Sequence, residues 1–472
     1  MIELDGISVS LPARSPRAKT VLDNISLAIP DGEWIAVAGP NGSGKSTLLA
    51  AIAGVCPVSS GRLRSAGKVG LVLQEPDNQF VSSSVRNELL LSMDPSLDAR
   101  FRDERFAEAV ERFSLGAFLE RNPHRISGGE KQRLALATVW LADPQVVLLD
   151  EPASYLDPEE TARCTAFVRD LHRRGVTVVW ATPGGDDLRE ARRVLYLEGG
   201  RVLFDGPVET FEAEARAKGF DVLAPGEGDS AVAAGEKPSA GESEAPSRCD
   251  RSAPGDAIVS MRSVSFAYDG VEVICGANAD IREREVLGIA GKNGAGKSTM
   301  LSLASGVLEP ARGTIERRYR RAVEKKGGGA EQNVFYLFQS PERLFFAESV
   351  LEEVAFGLAS LGVPRGEIAG RAADALHLVG LDPGVFLDRS PFSLSLGEMR
   401  RVAFAMAYAL SPKVLFLDEP ASCLDRAGRA VLASLFAALR SRGSTVVTAS
   451  HDARYLRATT DRVLTIENGL LV

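Results

Sequence analysis

The sequence predicts an α/β fold in two similar domains, each with a largely parallel central sheet. Three observations support this prediction. The 472 residues exceed what one hydrophobic core usually serves, and short motifs of the first half recur in the second. Apolar strand-like runs, such as Trp34–Ala38, Val146–Leu149 and Val176–Trp180, also alternate with helical stretches.

The internal repeat aligns the two halves residue by residue. Asp150 corresponds to Asp418 at an offset of 268 (418 − 150), and the same offset relates Ser127 to Ser395. Earlier motifs have smaller offsets, which places an insertion near Arg317–Gln332. Its basic and glycine-rich sequence predicts an extended surface hairpin.

A segment of unusual composition separates the halves. Residues 224–257 contain no Leu, Ile, Met or aromatic residue, so they bury too little apolar surface to offset the entropy of ordering. The sequence therefore predicts a domain at 1–223, a flexible linker at 224–257 and a second domain at 258–472.

Composition excludes several classes of protein. The chain is 45% hydrophobic and 25% charged with a net charge of −8, which is typical of soluble globular proteins and gives no sign of nucleic-acid binding. No apolar run of about 18 residues predicts a membrane span, and no signal peptide is expected. The five cysteines have no paired spacing, so we expect free thiols and a reducing compartment.

Two glycine-rich loops predict phosphate binding. GPNGSGKS at 39–46 and GKNGAGKS at 291–298 each follow a strand-like run and open a helical one. Glycines let backbone N–H groups converge on phosphate oxygens at a helix N-terminus, the lysine meets the β- and γ-phosphates, and the serine ligates Mg²⁺. The predicted nucleotide-binding residues are Asn41, Gly42, Gly44, Lys45, Ser46, Thr47, Asn293, Gly294, Gly296, Lys297, Ser298 and Thr299.

Paired carboxylates follow a further strand in each half. Four apolar residues precede Asp150 and Asp418, which places each aspartate at a strand end where it can hold the Mg²⁺ shell. The adjacent Glu151 and Glu419 can orient or deprotonate the attacking water. The pattern predicts a nucleotide-hydrolysing site.

The segment ISGGEKQR at 126–133 resembles the signature motif of ABC ATPases, and the resemblance covers nearly the whole chain outside the linker. It implies a helical signature subdomain in each domain and head-to-tail pairing of the two domains. ATP is then held between the P-loop of one domain and the signature of the other, here Ser127, Gly128 and Gly129. It also implies that Gln74 and Gln339 contact the Mg²⁺ ion.

The segments after these glutamines, QEPDNQF at 74–80 and QSPERLF at 339–345, resemble those of energy-coupling-factor transporter ATPases, which power the uptake of vitamins or of cobalt and nickel ions. This resemblance implies a transmembrane T component, a substrate-binding S component and a peripheral location on the cytoplasmic face of the cell membrane. It makes Asp77, Gln79, Glu342 and Phe345 candidate coupling residues. The alternative is that this segment is a surface helix with a buried Phe.

Departures from the family pattern fall on one predicted site. His451 occupies the switch-histidine position, whereas the corresponding residue of the first half is Pro183, which offers neither a side-chain donor nor a backbone N–H. Leu396 replaces a signature glycine. Tyr268 stands where the family stacks adenine, and Leu11 is its counterpart.

Head-to-tail pairing would combine the three replacements in the site of the first P-loop. The other site would keep a complete set, with Gln339, Lys297, Glu419 and His451 as catalytic residues. We therefore expect the first site to bind ATP and hydrolyse it slowly or not at all. The alternative is that a nearby side chain replaces the missing histidine and both sites turn over.

Two other functions are compatible with these motifs. One is the tandem ATPase of another ABC importer, such as a sugar importer, and the other is a soluble tandem ABC protein that acts on ribosomes or repair complexes. Proteins of the last class usually have a long charged helical linker, whereas residues 224–257 are rich in Gly, Ala, Ser and Pro. The sequence favours a transporter, and it does not identify the substrate.

Overall fold

The computed structural model describes residues 1–11, 19–65, 67–154, 156–220, 255–268, 270–319, 334–339, 341–422 and 424–472. The chain divides into two compact units, Met1–Gly228 and Asp229–Val472. This division falls inside the segment predicted as a linker. Most of that segment and most of the predicted hairpin at 317–332 lie outside the described residues.

The described residues of the first unit form two sheets. Their strands are β1 (Ile2–Leu11), β2 (Lys19–Ile29), β3 (Trp34–Ala38), β4 (Ser60–Ser65), β5 (Val69–Val72), β6 (Val146–Asp150), β7 (Thr177–Thr182), β8 (Arg193–Glu198) and β9 (Arg201–Pro207). The central sheet has the order β5-β6-β7-β3-β8-β9. All neighbours in it are parallel except β8 and β9. The strands β2-β1-β4 form a separate antiparallel sheet.

The helices of the first unit are α1 (Lys45–Ile52), α2 (Val85–Leu91), α3 (Ala99–Arg112), α4 (Gly128–Leu141), α5 (Pro158–Arg173) and α6 (Val208–Lys218). Every position of β3, β6 and β7 is buried, as expected for parallel strands covered on both faces. Along β3, Trp34 faces one hydrophobic cluster and Ile35 faces another, which follows the two-residue period of a strand.

The second unit repeats this topology. Its strands are β10 (Ala257–Tyr268), β11 (Val271–Arg282), β12 (Val286–Ala290), β13 (Arg312–Arg317), β14 (Val334–Leu337), β15 (Val414–Asp418), β16 (Thr445–Ser450), β17 (Arg462–Glu467) and β18 (Leu470–Leu471). The central order β14-β15-β16-β12-β17-β18 and the antiparallel sheet β11-β10-β13 match those of the first unit strand for strand. The predicted α/β fold with a mainly parallel sheet in each domain is thus confirmed.

The helices of the second unit are α7 (Lys297–Ser305), α8 (Val350–Ser360), α9 (Arg365–Leu378), α10 (Pro383–Phe386), α11 (Leu396–Leu410), α12 (Arg426–Ser441) and α13 (Ala453–Thr459). In the part of the chain that the structure describes, no helix is long and apolar enough to cross a bilayer. Cys56, Cys164 and Cys275 carry free thiols, and the other two cysteines lie outside the described residues.

Candidate nucleotide-binding sites

The two glycine-rich loops join a central strand to a helix in the same way. Residues 39–46 connect β3 to α1, and residues 291–298 connect β12 to α7. Gly44 and Gly296 cap the helices with φ of 106° and 105°, a conformation that favours glycine. Both loops therefore present a helix N-terminus, the favoured place for an anion.

The loop lysines are buried in both units. Lys45 Nζ donates to the carbonyl oxygen of Gly39 at 2.8 Å, and Lys297 Nζ donates to that of Gly291 at 2.9 Å. Each ammonium group is thus held inside its own loop, at the place where the sequence predicts the β- and γ-phosphates.

Asp150 and Asp418 end β6 and β15, as the sequence predicts. Burial raises the pKa of both carboxyl groups, that of Asp418 to about 6, against the lowering effect of hydrogen bonds with Ser46 and Ser298. In each aspartate, Oδ1 is buried without a hydrogen-bond partner. A buried free carboxylate oxygen beside a serine hydroxyl fits the oxygen ligands that Mg²⁺ prefers.

Glu151 and Glu419 follow these aspartates in the same strained backbone conformation, with φ of 46° and 47°. The backbone N–H of Glu151 donates to the carbonyl oxygen of Ala181, and that of Glu419 donates to Ala449, both at 3.0 Å. Left-handed conformations at non-glycine residues concentrate at functional sites. The backbone therefore places the two glutamates identically.

The Glu419 carboxylate contacts two cationic side chains. His451 Nδ1 lies 3.0 Å from Glu419 Oε2, and Lys297 Nζ lies 3.2 Å from Oε1. Burial alone would raise the pKa of Glu419, but the hydrogen bond and charge of His451 and the charge of Lys297 outweigh it, so the pKa is lowered. Burial lowers the pKa of His451, yet the hydrogen bond and charge of Glu419 prevail and raise it. Each group therefore favours the charged form of the other.

Glu151 shares the lysine contact, and an amide takes the place of the imidazole. Gln74 Nε2 donates to its Oε2 at 2.9 Å, and Lys45 Nζ lies 3.6 Å from Oε1. Burial raises the pKa of Glu151, the negative charge of Asp150 adds to the rise, and the charge of Lys45 opposes it without cancelling it. The first unit thus holds its glutamate by a neutral amide where the second uses a histidine.

The strand register shows which residue of the first unit stands in the place of His451. Asp150 pairs with Ala181 as Asp418 pairs with Ala449, so Pro183 directly follows β7 in the place where His451 follows β16. The sequence identifies the missing histidine. It does not reveal that Gln74 contacts Glu151, because the corresponding Gln339 is the same residue type and its side chain is exposed.

The two signature segments begin α4 and α11. Ser127 and Ser395 cap these helices, each with a reciprocal bond to a glutamate three residues on. A Cβ built on Gly128 would meet nothing within 4 Å, whereas one on Gly129 would collide with Glu160. A side chain at 129 would thus have to displace the Glu160 carboxylate, whereas position 128 has room for one, which agrees with the presence of Leu396 at the place equivalent to 128.

Tyr268 and Leu11 end the equivalent strands β10 and β1. The Tyr268 ring is 49% exposed and meets Phe266 edge-on, with ring centroids 4.9 Å apart. The ring is thus available for stacking on a base. The side chain of Leu11 lies outside the described residues.

The candidate coupling residues have varied surroundings. Asp77 is half-exposed and binds Lys131 at 2.7 Å and His124 at 3.0 Å. Gln79 Oε1 accepts a hydrogen bond from the backbone N–H of Leu73. The expectation for Phe345 is corrected, because its side chain is only 6% exposed and packs in the hydrophobic core. The side chain of Glu342 lies outside the described residues.

Exposed apolar side chains flank these segments in both units, and sequence reasoning missed them. They are Val81 and Leu91 in the first unit and Phe346 and Phe356, at the equivalent places, in the second; all four are more than 60% exposed. The two phenylalanine rings touch edge-on, with centroids 4.9 Å apart. The internal repeat is the signal that could have found them, because positions 81 and 346 are both apolar, as are positions 91 and 356.

Comparison with known proteins gives the family of both units. The family model described as ABC transporter matches residues 22–154 and 275–422. The chain is 31% identical to the ABC transporter ATP-binding protein VVA0347 of Vibrio vulnificus (strain YJ016), over 96% of this chain and 86% of that protein. It is 29% identical to the ABC transporter ATP-binding protein BL0043 of Bifidobacterium longum (strain NCC 2705), over 94% of this chain and 62% of that longer protein.

Among solved structures, the model of ribosome-bound archaeal Pelota and ABCE1 matches with a TM-score of 0.71 and 21% identity, over 99% of this chain and 78% of the matched chain. At this identity the likeness concerns the fold alone.

Proposed function

Because the chain belongs to the ABC transporter family and is a tandem ATP-binding protein that hydrolyses ATP, we propose that it energises a membrane importer of the energy-coupling-factor type. Such importers take up vitamins or cobalt and nickel ions. The observation that carries the proposal is the exposed apolar pair beside each post-glutamine segment.

These pairs fit docking of a membrane subunit. Phe346 and Phe356 form a touching pair of exposed rings, and apolar side chains are exposed at the same places in the first unit. Contiguous exposed apolar surface marks interaction sites. In the family, the neighbouring segment contacts coupling helices of the T component. We propose that Phe346 and Phe356 receive one coupling helix and that Val81 and Leu91 receive another, with Asp77 beside the latter. The T component in turn binds the substrate-binding S component, which keeps this chain at the cytoplasmic face of the membrane.

We propose domain limits of 1–223 and 258–472 and head-to-tail pairing of the two domains. The second P-loop then faces Ser127, Gly128 and Gly129. In this site Tyr268 stacks on adenine, Lys297 binds the β- and γ-phosphates, and Glu419 orients the attacking water.

His451 has two roles in this proposal. It holds the Glu419 carboxylate ionised, and its imidazole contacts the γ-phosphate as negative charge develops there. Ser298, Gln339 and Asp418 would hold Mg²⁺. When bound, Mg²⁺ neutralises charge on the β- and γ-phosphates.

The first P-loop site would bind ATP without efficient hydrolysis. It keeps Lys45, Ser46, Gln74, Asp150 and Glu151, with Ser46, Gln74 and Asp150 suited to Mg²⁺. Pro183, Leu11 and Leu396 occupy the positions where the second site has His451, Tyr268 and Gly128. ATP held here would act as a clamp between the domains.

Affinity purification from detergent-solubilised membranes tests the transporter proposal. The tagged wild-type chain should recover integral membrane proteins, and the F346E/F356E variant should lose them because charge opposes apolar docking. Its ATPase activity without membrane components should stay within about twofold of wild type. The matched control is L470E, since Leu470 is 53% exposed on β18. Recovery of ribosomes instead of membrane proteins, or equal recovery by F346E/F356E, would overturn the proposal.

A further inference from the structure

Arg400 is a buried guanidinium on the second signature helix, α11, with 3% of its surface exposed. Its Nη1 donates to the carbonyl oxygen of Ser422 and its Nη2 donates to that of Gln339 at 3.4 Å. Ser422 lies in the loop that follows Glu419, and Gln339 lies just after β14. Arg400 therefore joins the two loops that hold the predicted catalytic side chains of this unit.

The contact continues to the catalytic carboxylate. The hydroxyl of Ser422 donates to Glu419 Oε2 at 3.4 Å, and the backbone N–H of Ser422 donates to the carbonyl oxygen of Glu419 at 3.3 Å. A single residue thus links the guanidinium to Glu419. Because a buried charge is costly without hydrogen bonds, Arg400 favours the conformation in which both loops accept from it.

Among the described residues of the first unit, this link is missing. Gln132 occupies the equivalent place on α4 and is also buried, but its Nε2 has no hydrogen-bond partner. Ser154, the counterpart of Ser422, still donates to Glu151 Oε2 at 3.1 Å. The local bond to the glutamate is therefore common to both units, while the tie to the signature helix occurs in the unit that has His451.

We propose that Arg400 is a positioning residue for ATP hydrolysis in the second site. It fixes the backbone of Gln339 and Ser422, and through Ser422 it sets the place of the Glu419 carboxylate. In this proposal it acts through these two loops and not on the nucleotide itself. Small displacements of catalytic groups reduce turnover strongly while binding persists, so its loss affects kcat more than KM.

Steady-state ATPase assays of the purified full chain test this role. R400Q, which installs the residue of the first unit, should lower kcat by about 10- to 100-fold and change KM for ATP by less than about threefold. R400K should recover part of the loss, because one ammonium can still donate to one carbonyl. The control is R371Q, since Arg371 pairs with Glu367 on the surface of α9; its kcat should stay within about twofold of wild type.

A double-variant cycle shows whether Arg400 acts through Ser422. If it does, R400K/S422A loses less activity than the product of the two single losses. Multiplicative losses, or a kcat of R400Q within twofold of wild type, would overturn the proposal. If R400Q does not fold, the cycle of R400K, S422A and their double variant tests the role of Arg400 without it. R400Q and R400K with equal losses of kcat and melting temperature would indicate a purely structural role.

The inference rests on the proposed catalytic role of the second site, and not on a membrane partner. E419Q measured in parallel separates the two ideas. Retained activity in E419Q means that the site assignment fails. Loss of activity in E419Q without loss in R400Q overturns the role of Arg400 alone.

Discussion

Glu151 and Glu419 directly follow equivalent strands in nearly the same backbone conformation, yet their carboxylates have different electrostatic surroundings. Glu419 lies between His451 and Lys297, and its pKa is lowered despite burial. Glu151 receives a neutral amide from Gln74, and burial raises its pKa. The same backbone conformation thus carries one glutamate with a lowered pKa and one with a raised pKa, and the imidazole of His451 is the main lowering influence that Glu151 does not have.

A second contrast concerns the signature helices. Gly128 has open space around it, and Leu396 occupies the same position in a helix that is capped in the same way. Both residues are therefore compatible with their own fold. In the proposed pairing, the difference between them would be whether backbone at this point can closely approach a phosphate, which concerns function and not stability.

The largest expected difference is between E419Q and E151Q. E419Q should lower the ATPase kcat by about 10²–10³-fold, the usual cost of losing a preorganised catalytic group, whereas E151Q should cost less than about tenfold. Turnover of the two purified variants at saturating ATP and Mg²⁺ measures this. Equal losses would contradict a division into one catalytic and one degenerate site.

The next largest effect is expected from exchanging the signature residues. G128L should lower kcat by about 100-fold, because a branched side chain would obstruct backbone contact with the γ-phosphate of the second site. L396G should change kcat by less than about threefold. The melting temperature of G128L should stay close to that of wild type, since a Cβ at 128 meets nothing. A large loss in L396G would show that both signatures serve hydrolysis.

The smallest expected effect is a change in pH dependence. H451A removes the group that keeps the Glu419 pKa low, so burial should raise that pKa as it does for Glu151. The acidic limb of the kcat/KM profile, which reports the free enzyme, should then move to higher pH. If the pKa of Glu419 rises by one unit, the loss of kcat/KM relative to wild type is about tenfold greater on the acidic limb than at high pH, where Glu419 is ionised in both proteins.

The matched histidine control is H377A, because His377 is exposed at the end of α9. Its profile should coincide with that of wild type. A uniform loss in H451A at every pH, without a shift of the acidic limb, would mean that His451 does not control ionisation of Glu419.

Much of the fold could be predicted from the sequence. The strand–loop–helix context of Lys45 and Lys297, and the strand ends at Asp150 and Asp418, follow from local patterns: apolar runs long enough for a buried strand, and glycines where a helix begins. These features depend on near neighbours in the chain. The site residues and the linker at 224–257 remain predictions.

The burial of adjacent residues was harder to predict where their side chains point in different directions. Phe345 and Phe346 are adjacent and of one type, but Phe345 packs in the core and Phe346 is exposed. The short 3₁₀ turn at Pro341–Leu344 and the packing that follows decide which ring faces inward. Composition alone cannot separate them.

The sequence by itself determined the repeat, the register between the halves and the absence of a histidine at Pro183. The tertiary structure decided which side chain holds each glutamate. Gln74 and Glu151 are 77 positions apart in the chain, and Arg400 reaches Gln339 across 61 positions and Ser422 across 22. Hydrogen bonding and desolvation depend on distance and burial in space, and these exist only once the strands have paired.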